Sequence, residues 1–351
     1  MIMSRQRYTQ GPSVYRSAVN SKGSVLIIAL WSLCIMASLA VILGYGVRQK
    51  ATVINRLDVR DRLRSITDAG VKIAICELKT EQEKSYDCMK DSWSNNKKVF
   101  GGIVVDGGSC DICYKYVNEE SGIFETRYGL IDEERKININ KLNREVIQRL
   151  LQTAANMDET ESQALAASIV DWRDTDSELS VPLGSAEDAD YRNTQFPYEA
   201  KDSDFEVLEE TLLVNGMTIS IFEKIKNYIT IYGDGKININ TASQAVLTAI
   251  GLGEKMIGYI TSFRRGKDGI IGTEDDSIFD MPSNIVPYMT QFANLSASEV
   301  AMLAAVSERY FTTSSQSFMV RIVAALKGKN KTSEAIAVIN REGKILYWRE
   351  T

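Results

Sequence analysis

The sequence predicts an α+β protein: an N-terminal transmembrane helix, an antiparallel β-sheet, and a large all-α insertion of two helix-pair repeats that interrupts the sheet. Three observations support this prediction. Residues 24–47 contain no charged side chain. The sequence Lys-Ile-Asn-Ile-Asn at residues 136–140 recurs at residues 236–240, and a helical pattern follows both copies. The alternation of apolar and polar residues that is typical of strands occurs before the first copy and again after Ser315.

The uncharged run is long enough to cross a membrane. As a helix, its 24 residues would measure about 36 Å, and the hydrocarbon core of a bilayer is about 30 Å thick. Residues 1–23 contain four basic side chains and no acid, but Arg48, Lys50 and Arg56 follow the span, so the positive-inside rule alone does not decide the orientation. The short, acid-free N-terminus and the number of cysteines in the rest of the chain favour a cytoplasmic N-terminus. We therefore expect a single-pass anchor at residues 24–47, with the rest of the chain on the far side of the membrane.

Residues 48–135 are predicted to form a stem helix and the first strands. Apolar residues recur every three to five positions as far as about residue 83, so the membrane helix should continue into water as an amphipathic stem. Three strands are predicted after it, with glycine-containing turns between them: residues 99–105, 112–117 and 125–131.

Residues 136–305 are predicted to be an all-α insertion, with repeat copies that start near 136 and 236. Asn140 and Asn240 are expected to be helix N-caps, because an asparagine side chain can accept the unpaired amide hydrogens of a first turn. The second helix of each copy is predicted at residues 161–173 and 254–264, and residues 204–232 are expected to be helical as well. Strands should return in residues 306–351, at 317–326, 334–340 and 345–348.

The border of the apolar run points to a family. Lys22 and Gly23 directly before an uncharged helix resemble the leader of type IV prepilins and type II secretion pseudopilins. The resemblance implies a leader of residues 1–23, cleavage by a prepilin peptidase between Gly23 and Ser24, and methylation of Ser24. The alternative from the leader alone is an uncut signal anchor.

One departure from the common family pattern narrows the resemblance. Most members carry a glutamate at the fifth mature position, where this chain has Ile28. The absent glutamate, the Leu-Trp pair at residues 30–31 and a helical insertion within a pilin sheet resemble the K-type minor pseudopilin. That family implies a structural subunit at the tip of the pseudopilus, held in the bacterial inner membrane with its bulk in the periplasm. It implies as partners the other minor pseudopilins, the major pseudopilin and the prepilin peptidase, with secreted cargo and the outer-membrane channel as further candidates.

Composition argues against an enzyme. The chain has no histidine, which removes the Ser-His-Asp triad and most catalytic zinc sites. A membrane-anchored hydrolase is therefore the weakest of three function classes, and no reaction of its own is expected.

The rival class is a membrane-anchored DNA-uptake receptor. Residues 237–253 resemble a helix-hairpin-helix module, in which a glycine-rich hairpin offers backbone amides to a phosphate. However, the formal charge is −5, and it becomes −9 without the four cations of the leader. The first copy also has residues 154–157, Ala-Ala-Asn-Met, where glycines should be. We expect no nucleic-acid partner.

Acidic loops follow the second helix of both copies. Ca²⁺ takes six to eight oxygen ligands, and closely spaced carboxylates can supply them. Neither loop has the spacing of an EF-hand, and a solvated acidic loop is the alternative for each. The predicted calcium ligands in the first loop are Asp174, Asp176, Glu178, Glu187, Asp188 and Asp190. Those in the second loop are Asp268, Glu274, Asp275 and Asp276.

Four cysteines lie outside the membrane helix: Cys76, Cys88, Cys110 and Cys113. In a periplasmic domain they predict two disulfides, and Cys76–Cys88 with Cys110–Cys113 is favoured among the three pairings. A four-cysteine zinc site is the alternative. Cys34 lies inside the apolar helix and is expected to be a packing residue.

Overall fold

The structure is a computed structural model that describes residues 11, 21–80, 84–105, 107–117, 122–176, 178–181, 184–193, 196–328 and 331–350. Most of the predicted leader lies outside the described residues. The chain divides into two compact units, Met1–Arg60 and Asp61–Thr351.

Helix α1 spans Ser21–Thr80, and its segment Gly23–Thr80 is the one helix of the described chain that is long and apolar enough to cross a membrane. The prediction of a single N-terminal apolar helix that continues into a stem is therefore confirmed. Within the second unit, the stem packs closely on the sheet at Gly70. A Cβ atom at Gly70 would lie 3.2 Å from Ile322 Cγ2 and 3.5 Å from Cys110 Sγ, so glycine permits this close approach.

The strands before and after the insertion join in one sheet. Strand β10 (Ser317–Leu326) pairs antiparallel with β2 (Gly108–Ile112) on one side and with β11 (Thr332–Asn340) on the other. Strands β1 (Ile103–Val105) and β12 (Ile345–Glu350) lie outside β2 and β11, and β5 (Ile131–Asp132) also pairs with β10. The interrupted sheet predicted from the sequence is thus present. The first six strands are β1 (Ile103–Val105), β2 (Gly108–Ile112), β3 (Tyr114–Val117), β4 (Phe124–Arg127), β5 (Ile131–Asp132) and β6 (Ile137–Asn138). The remaining strands are β7 (Ile229–Thr230), β8 (Ile237–Asn238), β9 (Phe311–Thr312), β10 (Ser317–Leu326), β11 (Thr332–Asn340) and β12 (Ile345–Glu350).

The first strands differ in detail from the prediction. Residues Lys97–Phe100 form the short helix α2, because the Asn96 side chain accepts hydrogen bonds from the amides of Lys98 and Val99. The two other predicted strands each divide into two. The division occurs because β3 and β4 leave the main sheet and pair with each other as a separate hairpin.

The insertion is built from short helices around one buried apolar core, whose members lie between Ile137 and Phe311. Its α-helices are α3 (Arg144–Ala155), α4 (Glu159–Asp171), α5 (Asp188–Arg192), α6 (Ile219–Ile225), α7 (Gln244–Ala249), α8 (Glu254–Arg264), α9 (Ile285–Phe292) and α10 (Ala297–Tyr310). Two 3₁₀ helices span Leu208–Leu213 and Pro282–Asn284. Both predicted second helices are present, as α4 and α8.

The insertion is not entirely helical, which corrects the prediction. Strand β6 pairs in parallel with β7, and β8 pairs in parallel with β9. The repeated Ile-Asn-Ile-Asn sequence explains these strands, since its four isoleucines are at most 1% exposed and so fill the core from an extended backbone. Residues 204–232, predicted to be helical, contain a 3₁₀ helix, α6 and then β7.

The predicted N-caps were also wrong. The caps of α3 and α7 are Asn143 and Ser243, whose side chains accept the amides of Val146 and Val246. Asn140 and Asn240 stand three residues earlier and make other bonds, described below.

All five cysteines have free thiols in the structure. Cys110 is paired with Ala324 in the sheet, and the amide of Cys113 still donates to the carbonyl of Arg321, so the backbone between the two cysteines is extended. Residues three apart in an extended strand have Cα atoms about 10 Å apart, whereas a disulfide needs less than about 7 Å. The predicted Cys110–Cys113 bridge is therefore incompatible with this register.

Candidate metal centre

The first acidic loop begins where α4 ends. Both carboxylate oxygens of the fully buried Asp171 accept a hydrogen bond from the amide of Ser180, at 3.2 and 3.1 Å, which turns the loop back on itself. The turn brings Asp174, Asp176 and Glu187 together, so that one carboxylate oxygen from each lies within 4.8 Å of the other two. Three of the six predicted ligands of this loop therefore converge.

Two of these carboxylates are poorly satisfied by the protein. Asp174 Oδ1 and Glu187 Oε1 are buried and accept no hydrogen bond, and Glu187 is only 5% exposed. Burial, followed by the charges of Asp176 and Asp171, raises the pKa of Asp174 to about 6. Burial, followed by the charge of Asp171, raises the pKa of Glu187 to about 7. A cation bound between these oxygens would neutralise the charges and supply the absent partners, so the residues present fit a Ca²⁺ site.

The other three predicted ligands of this loop lie outside the group. Asp188 forms an ion pair with Arg192 at 2.9 Å and accepts the amide of Ala200 at 3.0 Å. Asp190 accepts the amide of Glu187 at 3.1 Å at the start of α5. Asp188 and Asp190 therefore fix the loop that presents Glu187, and Glu178 is not among the converging carboxylates.

The second acidic loop also brings three carboxylates within 4.8 Å, those of Asp268, Asp275 and Asp276. Here the protein itself satisfies the oxygens. Asp275 Oδ2 accepts the amides of Lys267 and Asp268 at 2.6 and 3.1 Å. The Thr273 hydroxyl donates to Asp275 Oδ1 at 2.8 Å. These bonds, that of Thr273 first, lower the pKa of Asp275 to about 2.

Cations of the protein also hold this second loop. Lys90 Nζ donates to the carbonyl of Glu274 at 2.8 Å and lies 3.4 Å from its carboxylate. Arg127 donates to the carbonyl of Ile271 at 3.4 Å. Glu274 thus contacts a lysine and lies outside the group. The second loop is ordered by its own hydrogen bonds, and the first is the better candidate metal centre.

The repeated asparagines, Asn140 and Asn240, each form two hydrogen bonds to the backbone of a phenylalanine that follows the acidic loop of its repeat. The sequence did not predict this role. Asn140 Nδ2 donates to the carbonyl of Phe205 at 3.0 Å, and the amide of Phe205 donates back to Asn140 Oδ1 at 2.9 Å. Asn240 makes the same pair of bonds with Phe279, both at 2.9 Å. The signal available in the sequence was a second good cap three residues after each asparagine, Asn143 and Ser243, which leaves the first free for another role.

In the glycine-rich hairpin, the lysine that would contact a phosphate already forms an ion pair within the described chain. Lys255, the cation that would complete it, forms an ion pair with Glu299 at 2.8 Å. In the first copy, the equivalent helix α3 ends at Asn156 in the left-handed conformation, with φ at 55°. Arg149 on α3 donates to the carbonyl of Ala249 on α7 at 2.6 Å, so the two copies pack against each other.

A cavity of about 440 Å³ lies between the sheet and the insertion. Each acidic side chain of its wall is paired with a basic one, as Lys136–Glu133, Lys226–Glu223 and Arg349–Glu209. The rest of the wall is largely apolar and includes Leu208, Phe222, Ile229, Ile231, Met319, Ile336 and Val338. Such a wall suits an uncharged apolar group.

Two comparisons with known proteins, one with family models and one with solved structures, gave matches to this chain. Residues 129–234, which contain the first helix pair and the first acidic loop, match a family model described as type II secretion system (T2SS), protein K. A chain in the crystal structure of the GspK-GspI-GspJ complex from the enterotoxigenic Escherichia coli type 2 secretion system is similar in fold, with a TM-score of 0.62. That match covers 86% of this chain and 99% of the other, at 14% sequence identity. A search of curated proteins gave no match.

The resemblance inferred from the leader, Ile28 and the interrupted sheet is confirmed by these matches. The chain therefore matches the protein K family model over residues 129–234 of its insertion, and its fold is similar to that of a chain in the GspK-GspI-GspJ complex.

Proposed function

We propose that this chain is a K-type minor pseudopilin of the type II secretion system that sits at the tip of the pseudopilus, where it assembles with I- and J-type minor pseudopilins and carries out no reaction of its own. The observation that carries the proposal is the protein K insertion, which enters and leaves a single pilin-like sheet between β5 and β10. The E. coli structure supports the choice of partners, since its title names GspK in a complex with GspI and GspJ.

Ile28 supports the position at the tip. In the prepilin family, the glutamate at this position pairs with the N-terminal amine of a neighbouring subunit inside the membrane, where an unpaired carboxylate is costly. A subunit with Ile28 has no carboxylate to neutralise and so has no need of that neighbour. This arrangement suits the end of a fibre.

The proposal includes the location and the remaining partners. The leader would be cut after Gly23 by the prepilin peptidase, and the helix would hold Ser24 at the inner membrane until assembly. The bulk of the chain would lie in the periplasm, in contact with the major pseudopilin below and with cargo or the outer-membrane channel above.

We further propose that Asp174, Asp176 and Glu187 hold Ca²⁺. When bound, the ion would supply positive charge to a loop whose carboxylates otherwise repel one another. The chain's own contribution is orientation: Asp171 and Asp190 fix the loop through amides, and Asn140 fixes its far end through Phe205. The loop would thereby present one ordered surface at the tip.

Co-purification of the full chain from detergent-solubilised membranes tests the assembly. The chain is co-expressed with the I- and J-type minor pseudopilins of the same organism, and tagged I-type protein is recovered. We expect the three proteins in equal amounts after size-exclusion chromatography. Recovery of the I–J pair without this chain would overturn the proposal, and binding to duplex DNA at about 150 mM salt would favour the DNA-uptake alternative.

A further inference from the structure

Four carboxyl groups are buried at the junction between the sheet and the second repeat. They belong to Asp87, Asp132, Glu133 and Glu134, and each residue is less than 5% exposed. Three of them are consecutive, from Asp132 at the end of β5, and the fourth, Asp87, lies between α1 and α2. The proposed assembly and the candidate metal centre make no use of this cluster.

Hydrogen bonds from the second repeat and from the segment before β10 converge on Asp132 and Asp87. Asp132 Oδ2 accepts the Asn238 side-chain amide at 3.1 Å and the Thr241 hydroxyl at 2.5 Å. Asp87 Oδ2 accepts the amide of Ser315 at 2.7 Å, and its other oxygen pairs with Arg341. The cluster therefore joins the insertion to the strands that complete the sheet.

Glu134 is the least satisfied member. Its Oε2 accepts the amide of Ser317, at the start of β10, at 3.1 Å. Its Oε1 is buried and accepts no hydrogen bond. A Cβ atom at Gly233 would lie only 2.8 Å from Oε1, so the backbone of the insertion is packed directly against this oxygen.

Among the described residues, the cations that face the cluster pair with its other acids and not with Glu134. Arg341 pairs with Asp87, and Lys136 pairs with Glu133, whose other oxygen accepts the Thr230 hydroxyl. The positive charge of Arg135 favours the ionised form of Asp132 and so opposes the effect of burial on the pKa of Asp132. The charged groups next to Glu134 are instead acids: burial raises its pKa well above the ordinary value, and the charges of Asp132 and Glu133 add to the effect. Burial likewise raises the pKa of Asp132, and it raises that of Asp87 to about 6 in spite of Arg341.

We propose that this cluster is a proton-dependent lock between the insertion and the sheet, in which Glu134 is held as the neutral acid while the two are docked. Loss of the proton would place a buried negative charge beside Asp132 and Glu133, in contact with the backbone at Gly233 and at the start of β10. Because the docked form keeps a proton on Glu134 that the unfolded chain gives up at a lower pH, the docked form is most stable at low pH and weakens as pH rises through the folded pKa of Glu134.

The test compares thermal midpoints of the detergent-solubilised chain between pH 6 and pH 9. The acids of the first loop are unchanged in all three proteins compared, so their titration contributes equally to each midpoint. Glu134→Gln keeps an acceptor for the Ser317 amide but cannot ionise, and the exposed Glu342→Gln is the matched control. We expect the midpoints of the wild type and of Glu342→Gln to fall over this range by at least about 2–4 °C more than that of Glu134→Gln. Parallel falls in all three proteins would overturn the proposal.

Hydrogen exchange of the wild-type chain gives a second test that does not require the variant to fold. After correction for the intrinsic effect of pH on exchange, segments 86–94, 235–242 and 311–317 should lose protection between pH 6 and pH 9. The centre of the β10–β11 pairing, where Val320 is opposite Ala337, should keep its protection. Equal changes in protection at the junction and at the sheet centre would contradict the lock.

Discussion

Asp174 and Glu187 each keep one buried carboxylate oxygen without a hydrogen bond, and a carboxylate oxygen of Asp174 lies within 4.8 Å of one of Glu187. Two such carboxylates are costly unless a proton or a cation neutralises them. The second acidic loop differs, because Asp275 accepts two backbone amides and a hydroxyl. Both repeats carry an acidic loop, but buried carboxylate oxygens lack a hydrogen bond in the first loop, whereas Asp275 of the second loop has its oxygens satisfied by the protein.

Calcium should stabilise the chain through the first loop only. We expect the thermal midpoint of the wild type to rise when EGTA is replaced by millimolar Ca²⁺. At a hundredfold excess of Ca²⁺ over Kd, binding would increase the free energy of unfolding by about 2.7 kcal/mol. Asp174→Asn with Glu187→Gln should abolish the rise. Asp275→Ala with Asp276→Ala should lower the midpoint with and without Ca²⁺, because these residues hold their own loop, but should keep the rise.

The opposite result would reassign the site. If the variant of the second loop loses the calcium response and that of the first keeps it, the carboxylates of Asp268, Asp275 and Asp276 are the ligands. If millimolar Ca²⁺ does not raise the thermal midpoint of the wild type, neither loop binds Ca²⁺ tightly enough to stabilise the fold.

Protons should compete with calcium at this site. Without metal, the pKa values of Asp174 and Glu187 are raised to about 6 and about 7, so the folded state binds more protons and these groups lose stabilising effect as pH rises from 5 to 8. Ca²⁺ binds the ionised forms, so its affinity should be weaker at pH 5.5 than at pH 7.5 by roughly tenfold or more. Isothermal titration calorimetry at the two pH values measures this, and equal affinities would contradict the role of Glu187.

The sequence predicted the architecture better than the site. The apolar helix, the interrupted sheet and the paired helices follow from hydropathy periods and a repeat, which are local properties. The roles of Asn140 and Asn240 were missed because their partners, Phe205 and Phe279, are remote in sequence. Spacing alone also could not separate Asp174, whose Oδ1 atom is buried without a hydrogen bond, from Asp275, which accepts hydrogen bonds within its own loop.

Processing of the N-terminus is the next prediction. The Lys-Gly border before an uncharged helix predicts cleavage between Gly23 and Ser24 and methylation of the new amine. Mass spectrometry of membrane-extracted protein should show a chain that starts at Ser24, and Gly23→Val should block the cut. A wild-type protein that still begins at Met1 would contradict a prepilin-type leader.

The cysteines give a prediction on the strand register. Cys110 and Cys113 lie on one extended backbone segment, so peptide mapping without reduction should find no link between them. In the folded chain, exposed Cys76 should be alkylated quickly. Cys88 and Cys110 should react only after denaturation, since burial raises their pKa values to about 12 and about 11. A linked Cys110–Cys113 peptide would show that the register at β2 is wrong.

Protein export measures the central claim most directly. In the source organism, the chromosomal gene is deleted, and a known substrate of its type II secretion system is quantified in the medium and in the periplasm. A K-type minor pseudopilin predicts that the substrate accumulates in the periplasm, and that both the wild-type chain and its Lys255→Ala variant restore export. Normal export in the deletion strain, together with a loss of DNA uptake that Lys255→Ala fails to restore, would contradict the account.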